Sequence, residues 1–532
     1  MNLKNILELA DKAIAENNFS YAKSILDKEL ELNPNIFELN FKLGLLHNIL
    51  GDLKKATIFY KKTILLNPNF SAAYCNLGIV YEKLNNRELA IKHHLTAIEK
   101  DPKNFKAYFN LGNCYFKNDD LKNAEEYYCL SINIQHDNIH PYINLFQIYD
   151  RSNNLKKLDK ILCKAKTIFS KHPIISFFDG ISEYRKNNYQ KTINIFEKLE
   201  LDPQDISKKI IKFNTLAKCY DHLGMFENAF KSFTITNTLI HDTHKNRVDK
   251  KNFIKLIEER FNFFSQKNFK NFSTRIIKDQ NIDPIFLVGF PRSGTTLLDT
   301  ILRTHGSIEV LEEKPIVDEL IRELHAHLMK DFVKLDKIDE EIRQNLRSLY
   351  FEKRKNYVSH KKNKIYIDKL PLNILYIGEL SQIFPNSKFI LALRNPYDTV
   401  MSCFMQPFVP NDAMANFYNL SDASKLYDQV FKLWEQYEKK INIKIHKIKY
   451  EEIVKDFDLS ILNLLKFLEL EWDNKLKEFY KTAENRGIIH TPSYNQINKP
   501  LYNKSVGRWK NYKKYFEGLE PILNEWKTKF NY

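Results

Sequence analysis

The sequence of 532 residues has few cysteines, and its six are scattered without any CxxC pair. Five of them lie in the first half of the chain: Cys75, Cys114, Cys129, Cys163 and Cys219, with Cys403 the sixth. This distribution fits reduced and mostly buried thiols rather than a disulfide framework. No His, Cys and Asp residues occur with the usual spacing of metal ligands either, so we expect no bound metal.

Long apolar runs are also missing. No stretch of about 18 apolar residues occurs, so we expect no membrane span. The N-terminal segment MNLKNILELADKAIAENN carries acidic residues and has no continuous apolar core, so it does not resemble a signal peptide. The resulting expectation is a cytoplasmic protein.

Dense basic tracts are missing too, although the formal net charge is +16 and the pI is about 9.1. Lysine and arginine are spread along the chain without a tract of interleaved aromatic residues, so we expect no nucleic-acid partner. The positive excess is compatible with attraction to a nucleotide, an acidic peptide or a membrane surface, and also with solvated helical faces. The length predicts two or more domains.

The first half of the chain repeats itself every 34 residues. Three registers show the period, namely Pro34, Pro68 and Pro102; Gly44, Gly78 and Gly112; and Ala22, Ala56, Ala90 and Ala124. The period and the small residues resemble the tetratricopeptide repeat, a helix–turn–helix unit. We predict about six units over residues 1–240, stacked into a superhelix with a concave groove. The groove is expected to hold a peptide or protein partner; alternatively, the array only orients or dimerises the second domain.

Residues 241–280 have helical spacing and are predicted to form a connecting helix. From residue 281 the pattern changes, and the apolar runs IFLVGF, KIYIDKL and KFILALR alternate with amphipathic stretches. Such alternation predicts an α/β domain with a mainly parallel sheet over residues 281–532.

The first of these strands leads into a glycine-bearing loop and then into a helix. Strand, loop and helix N-terminus is the arrangement that holds a phosphate with backbone N–H groups. The spacing matches the phosphate loop GxxxxGK[ST], except that Thr295 occupies the position of the lysine. That lysine reaches the β- and γ-phosphates of a nucleoside triphosphate, so its absence argues against ATP or GTP hydrolysis. Arg292 instead offers a planar guanidinium to a phosphate-like group.

Three further segments carry candidate site residues. Glu312 and Glu313 follow the loop by about twenty residues, Lys369 ends a predicted strand, and Arg394 ends another, with Ser402 eight residues later. Ligands of open α/β sheets bind at the carboxyl ends of the strands. Arg394 and Ser402 are therefore predicted to hold a second, separate phosphate.

In this order the motifs resemble the sulfotransferases, most closely the tyrosylprotein sulfotransferases and their bacterial relatives with N-terminal tetratricopeptide repeats. The resemblance covers roughly residues 281–510. It implies a P-loop-like domain and an enzyme that uses 3′-phosphoadenosine 5′-phosphosulfate (PAPS) without a metal. The implied reaction moves the sulfuryl group to a hydroxyl acceptor, with a tyrosine in a peptide or protein as the leading acceptor.

The resemblance also implies roles for individual residues. The loop would bind the 5′-phosphosulfate through Pro291, Arg292, Ser293, Gly294, Thr295 and Thr296. The 3′-phosphate would lie on Arg394 and Ser402. Ser505 and Gly507 belong to a segment similar to the one that covers the cofactor in this family, and Lys499 precedes it in a KP pair.

The implied catalytic residues are Glu313 as general base, Lys369 beside the bridging oxygen, Arg292 and Ser493. A carboxylate within hydrogen-bond reach can accept the proton of an alcohol or phenol. Lys369 lies in the sequence KLP where the family has KDP. Ser493 is a candidate contact of the sulfate because it precedes the KP pair.

Other interpretations stay open at this point. The acceptor could be a carbohydrate or a small molecule, the domain could be a small-molecule kinase, or the chain could be a non-enzymatic repeat scaffold. Each site residue also has a structural alternative. Glu312 and Glu313 could form a solvated acidic patch, Lys369 could pair with Asp368, and Arg394 could pair with Asp398. Homodimerisation is left open as well.

Overall fold

The computed structural model describes residues 2–266, 281–328, 335, 338–358, 364–485 and 505–532. The chain divides into two compact units, Met1–Pro203 and Gln204–Tyr532. This division falls before the last helical pair of the repeat, whereas the repeat pattern places a boundary near residue 240. None of the helices in the described ranges has both the length and the apolar character that crossing a membrane needs.

The first unit consists of twelve helices among its described residues, paired as antiparallel hairpins. They are α1 (Leu3–Ala15), α2 (Phe19–Leu32), α3 (Phe37–Ile49), α4 (Leu53–Leu66), α5 (Ser71–Lys83), α6 (Arg87–Lys100), α7 (Phe105–Phe116), α8 (Leu121–Ile134), α9 (Ile139–Arg151), α10 (Leu155–Ile168), α11 (Pro173–Arg185) and α12 (Tyr189–Lys198). Each hairpin packs on the next, so the predicted helical repeat array is confirmed.

The glycine register exists because an aromatic ring lies on each glycine. A Cβ atom at Gly44 or Gly112 would come within 2.7 Å of Tyr60 or Tyr128, and one at Gly180 would come within 2.2 Å of Phe196. Such a distance forces a ring or a helix to move. The two helices of a hairpin can therefore cross closely only where the side chain is absent.

A second period marks the turn inside each hairpin. The residue there has a positive φ in six successive hairpins, at Asn17, Gly51, Asn85, Asp119, Asn153 and Asn187. Asparagine, aspartate and glycine tolerate this left-handed conformation better than other residues. The next residue is the N-cap of the following helix, as at Asp52, whose side chain accepts the backbone N–H of Lys55.

The second unit begins with a seventh hairpin, so the count of about six repeats from the sequence is one too low. The first repeat escapes the glycine register because Ala10 and Leu26 occupy the positions of Gly44 and Tyr60. The helices here are α13 (Ile206–His222), α14 (Phe226–His244) and α15 (Lys250–Gln266). The last one lies within the range 241–280 predicted for a connecting helix, although α14 extends into that range as far as His244.

The rest of the second unit is an α/β domain. Its helices are α16 (Thr295–Thr304), α17 (Ile316–His327), α18 (Glu340–Lys355), α19 (Ile377–Ile383), α20 (Pro396–Phe404), α21 (Leu420–Lys440), α22 (Tyr450–Lys455), α23 (Phe457–Leu468), α24 (Phe479–Asn485) and α25 (Glu520–Lys529). Short 3₁₀ helices cover Pro371–Tyr376, Met414–Phe417, Asn474–Glu478 and Arg508–Phe516.

Five parallel strands form the described sheet, in the order β2-β3-β1-β4-β5. They are β1 (Ile285–Gly289), β2 (Ile308–Glu312), β3 (Ile365–Lys369), β4 (Lys388–Leu393) and β5 (Lys444–Lys449). Strand β1 is central and is buried along its whole length, which accounts for its unbroken apolar run. The predicted parallel α/β architecture is confirmed.

Side chains from both faces of β1 are packed against helices. Leu287 belongs to a core cluster with Leu298 and Ile301 of α16 and Leu464 of α23. Phe286 on the other face contacts the rings of Tyr350, Phe384 and Phe389. Burying each such side chain contributes about 1.5–3 kcal/mol. The strand that carries the glycine-bearing loop is thus held by helices on both sides.

Candidate active site

The candidate site residues all lie at the same end of the strands of the sheet. Because all five strands are parallel, their carboxyl ends meet there. The loop 290–296 follows β1, Glu312 and Glu313 lie at the end of β2, Lys369 ends β3, and Arg394 follows β4. The sequence therefore predicts correctly which end of the sheet carries these residues.

The loop after β1 packs tightly and has two left-handed residues. A Cβ at Gly289 would lie 2.6 Å from the backbone oxygen of Ala392, so only glycine fits beside β4. Arg292 has φ 69° and Gly294 has φ 96°. A positive φ at an arginine is sterically strained, and such strain concentrates at functional sites. Gly294 is the N-cap of α16, and no side chain in the described part of the protein caps this helix.

Arg292, Arg394 and Ser402 lie together in one pocket, which Met401, Met405, Asp398, Ser505 and Arg508 also line. The Nε of Arg292 donates to the Oγ of Ser402 at 3.0 Å, and an Nη of Arg394 donates to the backbone oxygen of Arg292 at 3.1 Å. Ser402 lies on α20, two turns after Arg394, as the sequence predicts. Two guanidinium groups facing one pocket repel each other, and a bound anion would relieve that repulsion.

Asp398 connects α20 to the segment that begins at Ser505. Its carboxylate accepts the backbone N–H groups of Gly507, at 2.6 Å, and Trp509, at 2.9 Å. Burial raises the pKa of Asp398, although Arg394 and these two N–H groups oppose the rise. Arg394 also donates to the backbone oxygen of Ser505 at 2.6 Å. Arg394 and Asp398 thus interact with each other, and both also hold backbone groups of the segment 505–509.

Two buried polar atoms at this site are placed to donate hydrogen bonds to a ligand. Neither the Oγ of Ser293 nor the Nε of Arg394 has a hydrogen-bond partner within the described part of the chain. Buried polar groups in proteins are normally satisfied. The donors left over, one in the loop and one at the end of β4, match a ligand with two separate anionic groups.

Lys369 is fully buried and lies among carboxylates. Its Nζ is 2.8 Å from Glu313, 3.3 Å from Glu312 and 4.0 Å from Asp299 on α16. The side chain of Glu313 is 39% exposed, whereas that of Lys369 is 0% exposed. A buried ammonium group is costly unless carboxylates of this kind pair with it. The two glutamates are thus part of an ion-paired cluster rather than a solvated patch, and Lys369 pairs with them instead of Asp368.

The backbone holds Glu313 in a fixed position. Its N–H donates to the backbone oxygen of Lys369 at 2.8 Å, one residue beyond the end of β2. Its φ is 50°, again in the left-handed region. This conformation turns the chain at the strand end, and the side chain of Glu313 lies beside the Nζ of Lys369.

Asp368, the residue before Lys369, is a buried acid outside this cluster. Asp368 is 0% exposed and accepts the hydroxyl of Tyr350 at 3.0 Å. Burial raises the pKa of Asp368 to about 7, and the nearby Asp318 raises it further, while the tyrosine hydroxyl opposes the shift.

The seventh hairpin supports the pocket from behind. Asp221 at the end of α13 accepts Arg508 at 2.6 Å and the hydroxyl of Tyr512 at 2.5 Å. On α14, Asn237 donates to the backbone oxygen of Phe404 at 2.9 Å, at the end of the helix that carries Ser402. The hairpin therefore positions both walls of the pocket.

The structure brings the predicted residues into two clusters. Arg292, Ser402 and Arg394 line one pocket, and Glu313 pairs with Lys369. The predicted residues Ser493 and Lys499 lie outside the described residues, so their placement stays a prediction.

Sequence reasoning did not single out Asp299, Arg508 or Asp221. Asp299 could have been found from its spacing, because it follows Thr295 by one helical turn and pairs with Arg303 at i+4. Arg508 and Asp221 are 287 residues apart in the sequence, and no local signal links them.

Fold and site together define an α/β protein with a glycine-bearing loop after its central strand and a pocket lined by arginines at the carboxyl ends of its strands. Residues 284–474 match the sulfotransferase family, and residues 37–70, 59–92 and 95–126 match tetratricopeptide repeats. The chain thus combines a sulfotransferase-family domain with tetratricopeptide repeats.

Individual relatives are similar over less than half of this chain. An uncharacterised protein of Aquifex aeolicus is 29% identical over 46% of the chain, and the match spans 32% of that protein. Protein-tyrosine sulfotransferase 1 of Danio rerio is 24% identical over 45% of the chain and 69% of its own length. The chain spans about a third of the first of these relatives.

Solved structures with helical repeats are similar as well. A structure of Pseudomonas aeruginosa pilF is 15% identical, covers 39% of this chain and 96% of its own, and has a TM-score of 0.35. A similarity of that size adds no argument about function.

Proposed function

We propose that this protein transfers a sulfuryl group from PAPS to a hydroxyl acceptor, and that the preferred acceptor is a tyrosine in a peptide or protein. The observation that carries the proposal is the meeting of Arg292, Arg394 and Ser402 in one pocket, with the Glu313–Lys369 pair at a neighbouring strand end. The domain match to the sulfotransferase family supports it.

The two anionic groups of PAPS suit the two sets of donors. Arg394 and Ser402 would hold the 3′-phosphate at the end of β4, because guanidinium and hydroxyl groups donate to phosphate oxygens. The loop from Pro291 to Thr296, with the N-terminus of α16, would hold the 5′-phosphosulfate. Ser505 and Gly507 would close the pocket over the nucleotide through their contacts with Arg394 and Asp398.

In the reaction itself, the chain's residues position groups and stabilise charge. Glu313 would accept the proton of the acceptor hydroxyl while the hydroxyl oxygen forms a bond to sulfur. At the same time the bond between sulfur and the 5′-phosphate oxygen would break. Lys369 would stabilise the negative charge that develops on that leaving oxygen, and Arg292 would stabilise the equatorial oxygens. The other product is adenosine 3′,5′-bisphosphate.

A peptide acceptor is proposed from two observations. Relatives named protein-tyrosine sulfotransferase are 24% identical to this chain over 45% and 42% of its length. The tetratricopeptide repeats precede this domain in the same chain, and such repeats commonly present a groove to peptides.

Calorimetric titration of the full chain with adenosine 3′,5′-bisphosphate, adenosine 5′-monophosphate and ATP tests the nucleotide. We expect the bisphosphate to bind at least tenfold more tightly than the monophosphate, because the monophosphate leaves Arg394 and Ser402 without a ligand. Preference for ATP, or no binding of the bisphosphate, would refute the proposal.

The acceptor is tested separately. The chain is incubated with PAPS and paired peptides that differ only by tyrosine or phenylalanine at one position, and mass spectrometry detects the added sulfuryl group. Modification of the tyrosine peptide alone supports the proposed acceptor. If the bisphosphate binds but neither peptide is modified, the peptide acceptor is wrong and the nucleotide assignment stands.

A further inference from the structure

Three side chains that can bind a metal meet inside the first unit. Glu82 lies near the end of α5, His94 on α6 and Cys114 on α7, and one ligand atom of each lies within 4.8 Å of the others. They are 12 and 20 residues apart in the sequence and come from three different helices. Spacing rules for metal ligands therefore do not detect them.

His94 is the least explained member of this cluster. Its side chain is 0% exposed, and neither ring nitrogen has a hydrogen-bond partner among the described residues. Burial lowers the pKa of His94 to about 4, so the imidazole is neutral and has a free lone pair. A buried polar group without a partner is costly, and this one can be satisfied by a metal ion.

The equivalent positions in the repeats before and after this cluster hold different residues. Tyr60 and Tyr128 occupy the position of His94, one repeat before and one repeat after. Val80 and Ile148 occupy the position of Cys114, and Asn48 and Phe116 occupy that of Glu82. In those repeats the glycine carries a tyrosine ring, whereas His94 lies on Gly78 with the same close approach. A ring at the position of His94 therefore serves the packing of the hairpin in all three repeats. A histidine, a thiol and a carboxylate occur together at these three positions only around His94, and not in the repeat before or after it.

We propose that Glu82, His94 and Cys114 bind one Zn²⁺ ion, with water as the fourth ligand. Imidazole nitrogen, thiolate sulfur and carboxylate oxygen are all zinc ligands, and the mixed set favours zinc over the harder Mg²⁺ and Ca²⁺. A thiolate and a carboxylate supply two negative charges to the two positive charges of the ion, and the carboxylate also pairs with Lys117. Opposite charges of this kind are what a largely buried ion requires.

Binding requires a small movement and the loss of one proton. The ligand atoms of a tetrahedral zinc site lie about 3.3–3.8 Å apart, so the cluster has to close by about 1 Å. Burial raises the pKa of the Cys114 thiol to about 12, so its proton leaves to solvent as the sulfur–zinc bond forms. Glu82 also pairs with Lys117, through one carboxylate oxygen, and the other oxygen remains available for the metal.

The ion would join two successive repeats. Its ligands come from both helices of the hairpin α5–α6 and from the first helix of the next hairpin, so binding would stabilise their stacking. A ligand that binds the folded chain but not the unfolded chain raises the midpoint of thermal unfolding.

The full chain, freed of metal by chelation and dialysis, is titrated with Zn²⁺ and with Co²⁺. We expect one equivalent of either ion, a cobalt spectrum with a thiolate charge-transfer band, and a midpoint of thermal unfolding that rises with zinc. His94→Tyr and Cys114→Val install the residues of the adjacent repeats and should preserve the fold while binding falls at least a hundredfold. Circular dichroism of both variants checks that they are folded.

Cys163→Ser is the matched control, because Cys163 is an exposed thiol of the same unit. It should leave the stoichiometry and the cobalt spectrum unchanged. The proposal is overturned if the wild-type chain binds no zinc. It is also overturned if binding survives in His94→Tyr, or if the control variant loses it.

Discussion

The two units use the same unusual backbone conformation for different purposes. In the repeat array a positive φ recurs every 34 residues and falls on residues that tolerate it, as at Asn85 and Asp119. In the α/β domain it falls on Arg292 and Glu313, which do not tolerate it well. The array therefore uses the left-handed conformation at residues where it costs little energy. The α/β domain instead holds two charged residues of its candidate site in this conformation, which is strained for them.

The difference bears on where the candidate site lies in this chain. A left-handed asparagine in a hairpin turn is explained completely by the turn. The left-handed Glu469 likewise ends the helix α23. Arg292 and Glu313 instead follow the strands β1 and β2, where the surrounding structure holds the strained conformation. Both strained residues belong to the clusters that the sequence selected for anion binding and proton transfer.

The largest effect is expected at Glu313. Glu313→Gln keeps the size of the side chain but removes the base, so kcat should fall by about 10²–10⁴ while the affinity for adenosine 3′,5′-bisphosphate stays within about twofold. Steady-state sulfation kinetics and calorimetry measure the two quantities. Glu312→Gln is the matched control, since it loses a carboxylate near the same lysine and should retain most of the turnover. Equal losses in both variants would mean that the carboxylates act only through Lys369.

The next effect concerns the anion pocket. Arg394→Gln and Ser402→Ala should weaken binding of adenosine 3′,5′-bisphosphate by about 10- to 100-fold, because hydrogen bonds to charged groups contribute about 1.5–3 kcal/mol. Binding of adenosine 5′-monophosphate should change little in both variants. If the affinities for both nucleotides fall together, these residues support the loop and do not contact a 3′-phosphate.

The fold could be predicted from the sequence to a large extent. The 34-residue period reflects a contact that four of the hairpins share, a ring packed on Gly44, Gly78, Gly112 or Gly180, so it appears in the sequence as a register. The strands appear as apolar runs because both faces of the sheet are covered. The division after Pro203 could not be predicted, because it depends on contacts such as Asp221 with Arg508 between distant parts of the sequence. The predicted number of repeats is one too low because the first repeat lacks the glycine and the ring of the later ones.

The candidate site could be predicted only in part, for a similar reason. Arg292, Lys369 and Arg394 are found because each one ends a strand or lies in the loop after it. The partners of these residues are set by packing. That Arg292 donates to Ser402, and that Lys369 is buried between two glutamates, depends on side-chain directions that no spacing reveals.

A third prediction concerns the buried acid beside the candidate site. The pKa of Asp368 is about 7 in the folded chain, above the value of about 3.9 for an unfolded chain. Its contribution to stability is therefore complete below about pH 4 and is lost as the pH rises through 7, an effect on the order of a few kcal/mol. Asp368→Asn should remove this dependence, so the loss of stability between pH 5 and pH 8 becomes smaller. Thermal unfolding across that range measures it, and an unchanged slope would contradict the raised pKa.

The smallest effect is expected from substitutions that compare the left-handed residues Arg292 and Asn85. At both Arg292 and Asn85, glycine should give a chain more stable than alanine by about 1 kcal/mol, because glycine adopts a positive φ without strain and alanine does not. Chemical denaturation of the four variants measures the two differences. Turnover should separate the positions, since both substitutions at Arg292 remove the guanidinium and lower kcat, whereas both at Asn85 leave kcat unchanged. If Arg292→Gly is no more stable than Arg292→Ala, the loop is not strained, and the contrast between a structural and a functional use of the same conformation fails.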